Sequence, residues 1–141
     1  HTIRGGMAIT ALAGPLSNII IAYIAVVIYR LVLYIGNFEN EMMGYVVLMI
    51  YYFISLNVGL AIFNLIPIPP LDGSKILGAF LPAKFDYFLA KNERVISIVF
   101  MVVVVTGILS VPITFVSSYV IIGLNYLAMW VDLIVEAVGV I

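Results

Sequence analysis

Long apolar runs alternate with short polar stretches along most of the chain. The runs cover about residues 7–29, 42–66, 95–110 and 115–138. A helix of about 20 apolar residues crosses the ~30 Å hydrocarbon core of a bilayer. The pattern therefore predicts four membrane-spanning helices. The third is short, and its helix can continue past Pro112 with a kink.

A proline-rich break ends the second run. Pro67 has no backbone N–H and disfavours helix at Ile66, and Pro69 and Pro70 follow almost at once. We therefore predict an extended stretch over residues 66–71. Such a break at membrane depth is tolerated only where protein or a water-filled cavity satisfies the freed backbone groups.

Asp72 follows the break, and it precedes a predicted helix over residues 74–81. This helix is too short to cross a bilayer. An acidic residue at such a position indicates a functional site. Asp is also a preferred helix N-cap, so the spacing alone leaves both interpretations of Asp72 open.

Charged residues gather after the short helix, over residues 83–94. The basic residues there are Lys84, Lys91 and Arg94. The apolar residues on one side of the predicted helix are Phe85, Phe88 and Leu89. This combination predicts a helix that lies at the membrane surface with its charges in solvent.

Polar and small residues inside the first two runs recur at helical spacing. The first run carries Thr10, Ala13, Gly14 and Ser17. Small residues on one face let a neighbouring helix approach closely, and Asn18 is then expected in a helix interface. Asn57 and Asn64 share one helical face, with Ala61 between them, and we expect this face to look into the bundle. The default role of these asparagines is hydrogen bonding between helices.

The last run carries a polar stripe. Ser118, Asn125 and Asp132 recur every seven residues, and Glu136 lies one turn after Asp132. The stripe favours a helix interface or an amphipathic face over a second active site. A role as a gate is the alternative.

Composition places the chain in a membrane. It is 65% hydrophobic and 9% charged, with a mean hydropathy of +1.28, whereas a soluble domain carries about 25% charged residues. The 141 residues predict a single membrane domain over residues 1–141. A net charge of −1 does not indicate a nucleic-acid partner, and the lack of cysteine excludes disulfides and thiolate metal sites. The chain starts at His1 rather than at a methionine, so we expect a piece of a longer protein, cut at its N-terminus. His1 is also its only histidine.

The basic residues predict the orientation of the spans. Four of the six Lys and Arg residues lie between the second and third runs, and Arg4 precedes the first run. Glu39 and Glu41 lie in the turn after the first run. With four spans, both termini and the proline-rich break are expected on the cytoplasmic side. Arg30 runs against this distribution and is expected to snorkel to the interface.

Two motifs stand out along the chain: Asn64-x-x-Pro67-x-Pro69-x-x-Asp72-Gly73, and Gly14-Pro15-x-x-Asn18 on an earlier helix. They resemble the N-x-x-P-x-P-x-x-D-G and G-P-x-x-N elements of the site-2 protease family of intramembrane zinc metalloproteases. Lys75 stands where family members commonly have a basic residue, and Ser74 replaces a frequent glycine. The resemblance covers nearly the whole chain, although the last run matches only in hydropathy.

The resemblance implies roles for these residues. Asp72 resembles the carboxylate ligand of the catalytic zinc, and Asn64 resembles an asparagine that positions substrate. Structural support of the site is implied for Gly14, Pro15, Asn18, Pro67, Pro69 and Gly73. In the family, the other two ligands and the general base lie on an upstream H-E-x-x-H helix, a sequence that these 141 residues do not contain.

We therefore expect an all-α, polytopic membrane helix bundle with about four transmembrane segments, a proline-rich break and an interfacial helix. The resemblance implies the C-terminal part of a zinc endopeptidase that performs regulated intramembrane proteolysis near the cytoplasmic face. The expected cofactor is zinc in the intact protein, with Asp72 as one of three ligands. The expected partners are a membrane-anchored protein substrate, the lipid bilayer, and a separate or missing N-terminal segment that carries H-E-x-x-H. No nucleic-acid partner is expected.

Two alternatives remain open at this point. One is a catalytically inactive relative that binds membrane proteins. The other is a small transporter or channel-like bundle, because proline-interrupted helices with polar residues also mark transport sites.

Overall fold

The fold is a bundle of helices, seen in a computed structural model that describes residues 2–36 and 41–139. The helices are α1 (Thr2–Ile35), α2 (Glu41–Leu65), α3 (Asp72–Phe80), α4 (Ala83–Val105), α5 (Ser110–Leu127) and α6 (Trp130–Val138). The described residues contain no strand. The predicted all-α membrane bundle is confirmed.

Three helical segments in the described residues are long and apolar enough to cross a membrane: Gly6–Ile35, Glu41–Leu65 and Ser110–Val138. They correspond to the first, second and fourth apolar runs. The last one consists of α5 and α6, which are joined by a short turn at Ala128 and Met129.

The predicted interfacial helix and the predicted third span form one continuous helix, α4. Its apolar part, residues 95–105, measures only about 16 Å along the axis, roughly half of the hydrocarbon core. The helix ends at Thr106, and Gly107 follows with φ 74°, a left-handed conformation that suits glycine. Pro112 lies in the first turn of α5, where a missing N–H costs no helical hydrogen bond. The described residues therefore show three candidate spans rather than four.

Contacts between helices fix their relative directions. Tyr23 of α1 donates to the carbonyl of Leu127 at 3.2 Å. Tyr34, close to the C-terminal end of the same helix, donates to Asp132 of α6 at 2.8 Å. The C-terminal ends of α1 and α6 therefore lie at the same end of the bundle. The expectation that both termini share the cytoplasmic side is not supported, because Thr2 lies at the opposite end of α1.

α4 stays at the end of the bundle where α2 finishes. Phe100 of this helix is buried, and its ring lies 5.8 Å from that of Phe63, close to the end of α2. The charged first half of α4 remains exposed at Lys84, Lys91 and Arg94, as expected for a surface helix.

The core joins α1, α2 and the end of α5. Its buried residues are Ala22, Ala25 and Val26 of α1, Ile54 and Val58 of α2, and Leu124 and Ala128. Small side chains at the contact let the helix backbones approach closely. This close packing stabilises the bundle, because lipid is as apolar as the side chains and the hydrophobic effect does not favour contact between helices. Large apolar side chains outside the core remain exposed, as expected for surfaces that face lipid.

Two predicted polar faces differ from expectation. Thr10 and Ser17 are exposed and donate to the carbonyls of Gly6 and Ala13, at 2.9 and 2.7 Å, within their own helix. Asn57 also donates within its own helix, to Phe53 at 2.8 Å, rather than to a neighbour. Hydroxyl and amide groups commonly satisfy themselves on the preceding turn, which removes the need for an interhelical partner.

Candidate functional site

The proline-rich break is a series of tight turns, not the extended stretch predicted for residues 66–71. Ile66 donates to Phe63 at 3.1 Å, Ile68 to Ile66 at 2.8 Å, and Leu71 to Ile68 at 3.0 Å. The other residues of the break are prolines, which have no N–H. Every backbone donor in the break is therefore either used locally or missing, so this segment leaves no N–H group unsatisfied.

Asp72 begins α3 and does not cap it. The N-cap is Leu71, and the side chains there make no capping hydrogen bond. Oδ1 of Asp72 instead accepts from Nζ of Lys75 at 2.9 Å, one turn further on. The N-cap interpretation is therefore wrong, and the carboxylate is about one-third exposed at 36%.

Gly73 holds α3 against the end of α2. A Cβ on Gly73 would lie 2.3 Å from the carbonyl oxygen of Leu65 and 2.4 Å from that of Ile66. No side chain fits in this space. The close approach fixes the first turn of α3, and with it Asp72, at the end of α2, next to Asn64.

Gly14 brings the second motif to the same place. A Cβ on Gly14 would lie 3.6 Å from Oδ2 of Asp72. Pro15 is buried inside α1, and Asn18 lies half-buried one turn after Gly14. The two motifs are far apart in sequence, and the packing of α3 on α1 makes them neighbours.

A cavity of about 230 Å³ adjoins the break. It lies between the break, α3 and α4, and is lined by Pro69, Pro70, Ser74, Lys75, Asp86, Leu89, Ala90 and Glu93. Gly78 brings α3 close to α4, since a Cβ there would lie 2.8 Å from Oδ1 of Asp86.

Asp86 and Glu93 line this cavity. The sequence analysis did not assign them to a site, because it interpreted the charges of residues 83–94 as a solvated face. The available signal was their seven-residue spacing, which places both on one side of a helix.

The described residues do not complete a zinc site. Residues 2–36 and 41–139 contain no group of three His, Cys, Asp or Glu side chains that could hold a metal. A catalytic zinc takes three protein ligands, and Asp72 provides one donor of a suitable type. His1 lies outside the described residues.

A second polar cluster joins α1 to α5 and α6. Arg30 forms an ion pair with Oδ2 of Asp132 and donates to the carbonyl of Asn125 at 2.9 Å. The hydroxyl of Tyr34 donates to Oδ1 of Asp132 at 2.8 Å. Arg30 is thus paired inside the protein, which explains how a cation is tolerated at this end of α1.

The predicted polar stripe divides in the structure. Asp132 lies in a helix interface as predicted. Ser118 and Asn125 use their side chains within α5, on Phe115 and Ile121 at 2.7 and 3.0 Å. Glu136 is exposed.

Comparison with known proteins identifies the family. Residues 31–110, more than half of the chain, match the model of peptidase family M50. The chain belongs to this family. The match confirms the resemblance to site-2 proteases and includes the break and Asp72. The Gly14 motif lies outside the matched residues, so its position beside Asp72 is an independent observation.

A Bacillus subtilis (strain 168) protein named "Putative zinc metalloprotease YwhC" is 33% identical over 102 residues, which are 70% of this chain and 45% of that protein. The chain therefore spans less than half of the length of this relative. No solved structure shows significant similarity to the chain.

Proposed function

We propose that this chain is part of an intramembrane zinc endopeptidase that cleaves membrane-anchored proteins near the cytoplasmic face. The observation that carries the proposal is the position of Asp72. Its carboxylate lies at a helix junction, with Oδ2 next to Gly14 and with α2 ending beside it. Membership of peptidase family M50 supports the same chemistry.

Asp72 is the proposed metal ligand of this chain. Oδ1 accepts from Lys75, which leaves Oδ2, on the side of α1, as the oxygen for a metal. The remaining two ligands would come from residues outside the described part. A zinc ion in a three-ligand site keeps one position for water and lowers the pKa of that water to about 7.

The break is the proposed contact for the substrate backbone. Its N–H groups are used locally or missing, so it offers carbonyl acceptors but no free donors to an extended peptide. A substrate strand would therefore donate to the break and would not form a two-sided ladder with it. Asn64, at the end of α2, is the proposed donor that positions the substrate; its amide supplies N–H groups that the break lacks.

The test measures zinc and cleavage in the same preparations of the intact protein. Asp72→Ala should lose most of the bound zinc and cleavage of a membrane-anchored reporter. Glu136→Gln removes an exposed carboxylate on α6 and should retain both. Zinc is measured by mass spectrometry of the metal, and cleavage by the size of the reporter.

Two outcomes would contradict the proposal. One is an Asp72→Ala variant with undiminished zinc and turnover. The other is an unmodified protein that binds no zinc and cleaves no reporter.

A further inference from the structure

A cavity of about 380 Å³ lies beside the ion pair of α1 and α6. It is lined by Arg30, Ile122, Asn125, Tyr126, Met129 and Asp132. Arg30 lies about 24 Å along α1 from Gly14, so this cavity is separate from the site at Asp72. Its volume falls in the ordinary range of small-molecule pockets.

The cavity lies at the depth of lipid headgroups. The span Gly6–Ile35 has 30 residues and is about 45 Å long, which matches the ~40–45 Å thickness of a bilayer with its headgroups. Arg30 is then about 7.5 Å, and Asp132 about 9 Å, inside the ends of their spans. Both charges lie where the headgroups meet the hydrocarbon.

The charges of the cavity are arranged as a dipole with unused hydrogen-bonding capacity. A guanidinium has five N–H donors, and Arg30 uses one on each terminal nitrogen, for Asp132 and for the carbonyl of Asn125. One donor is left on each of these nitrogens. Asp132 accepts one bond on each oxygen, and its side chain is 33% exposed, so lone pairs remain for a further donor.

We propose that this cavity binds the headgroup of phosphatidylethanolamine. The phosphate accepts from Arg30, and the ammonium donates to Asp132. A choline headgroup carries no N–H for the carboxylate, and the carboxylate of Asp132 disfavours a purely anionic headgroup. Tyr126 lines the cavity and is of a residue type enriched at the membrane interface.

The test is lipid retention by the intact protein in mild detergent, measured by native mass spectrometry. Phosphatidylethanolamine, phosphatidylcholine and phosphatidylglycerol with identical acyl chains are added in turn. The unmodified protein should retain phosphatidylethanolamine most strongly. Loss of one charge-assisted hydrogen bond should lower retention about tenfold.

Three variants separate the possible causes. Arg30→Gln should reduce retention of phosphatidylethanolamine about tenfold. Asp132→Asn keeps the shape of the side chain and should abolish the preference for phosphatidylethanolamine over phosphatidylglycerol. Arg94→Gln removes an exposed cation of α4 and should change neither. Circular dichroism checks the fold, and Asp132→Asn carries the test if Arg30→Gln does not fold.

Equal retention of the three lipids by the unmodified protein would overturn the proposal. So would an Arg30→Gln variant that retains phosphatidylethanolamine as well as Arg94→Gln does. Soluble glycerophosphoethanolamine in excess should fail to displace the lipid, because it lacks the acyl chains that hold the lipid against the apolar helix surfaces. Displacement at millimolar concentration would indicate a soluble zwitterion instead and would also overturn the proposal.

Discussion

Gly73 is the residue on which the position of Asp72 depends most directly. The carbonyls of Leu65 and Ile66 occupy the place where a side chain would begin. A backbone obstacle of this kind cannot rotate away, unlike the end of a flexible side chain. The conformation of the junction therefore requires a residue without a Cβ at position 73.

Gly73→Ala should destabilise the protein by about 1–3 kcal/mol, the usual cost of overpacking. The fall should be visible in thermal unfolding in detergent, together with loss of bound zinc. Gly123→Ala is the matched control, because nothing lies within 4 Å of the added Cβ, and it should not lower the unfolding temperature. Equal unfolding temperatures for the two variants would show that the junction is not tight.

Gly14, unlike Gly73, does not face a backbone obstacle; its missing side chain leaves space beside the carboxylate of Asp72. An alanine there would make an ordinary contact at 3.6 Å with Oδ2 of Asp72, whereas a larger side chain would fill the space. Gly14→Leu should lower zinc affinity about 10–100-fold, the range for residues that support metal ligands, and Gly14→Ala much less. Gly6→Leu, on the same helix with nothing near its Cβ, should leave zinc binding unchanged. The measurement is competition with a zinc chelator.

The break is the element that ends α2 and leads directly into Asp72. Its prolines stop α2 and remove N–H groups that lipid could not satisfy. The local turns then use the remaining donors. The result is a loop that carries Asp72 back against α1 and leaves only carbonyl oxygens of its backbone free for a partner.

Pro67→Ala combined with Pro69→Ala should allow α2 to extend, since each proline disfavours helix by about 3 kcal/mol. Extension would carry Asp72 away from Gly14, so cleavage and bound zinc should fall while helix content is kept. Pro112→Ala lies in the first turn of α5 and should have no effect. Unchanged turnover in the double variant would rule out a role for the break. Circular dichroism and reporter cleavage are the measurements.

At the scale of the whole molecule, the direction of the last span decides the topology. Tyr34 and Arg30, at the C-terminal end of α1, meet Asp132 of α6. The three described spans then run in alternating directions, and α4 lies at the end of the bundle where α2 finishes. Which side of the membrane this end faces stays a prediction, based on the basic residues of α3 and α4.

The lack of cysteine makes this topology directly measurable. Lys91→Cys and Thr106→Cys should react with a membrane-impermeant maleimide from one side, predicted to be cytoplasmic. Gly36→Cys and Gly139→Cys should react from the other side. The unmodified chain is the blank. Labelling of Thr106→Cys and Lys91→Cys from opposite sides would show that α4 crosses the membrane after all.

Much of the site was accessible from the sequence because its signals are local. Prolines at fixed offsets stop a helix wherever they occur, and an acidic residue inside an apolar run is costly enough to need a reason. The same local logic failed for Asp72 as an N-cap and for the extended break. Both depend on which backbone groups find partners, and several arrangements satisfy them equally well.

The sequence by itself determined the membrane setting, the three long apolar helices, the break and the motifs that indicate the family. These follow from hydropathy, proline chemistry and spacing along one chain. Only the tertiary structure decided that Gly14 lies against Asp72 and that Arg30 pairs with Asp132. Each of these is a contact between segments distant in sequence. Lipid-exposed helices carry similar apolar surfaces on all sides, so the pattern does not select their partners, and close backbone approach and paired charges do.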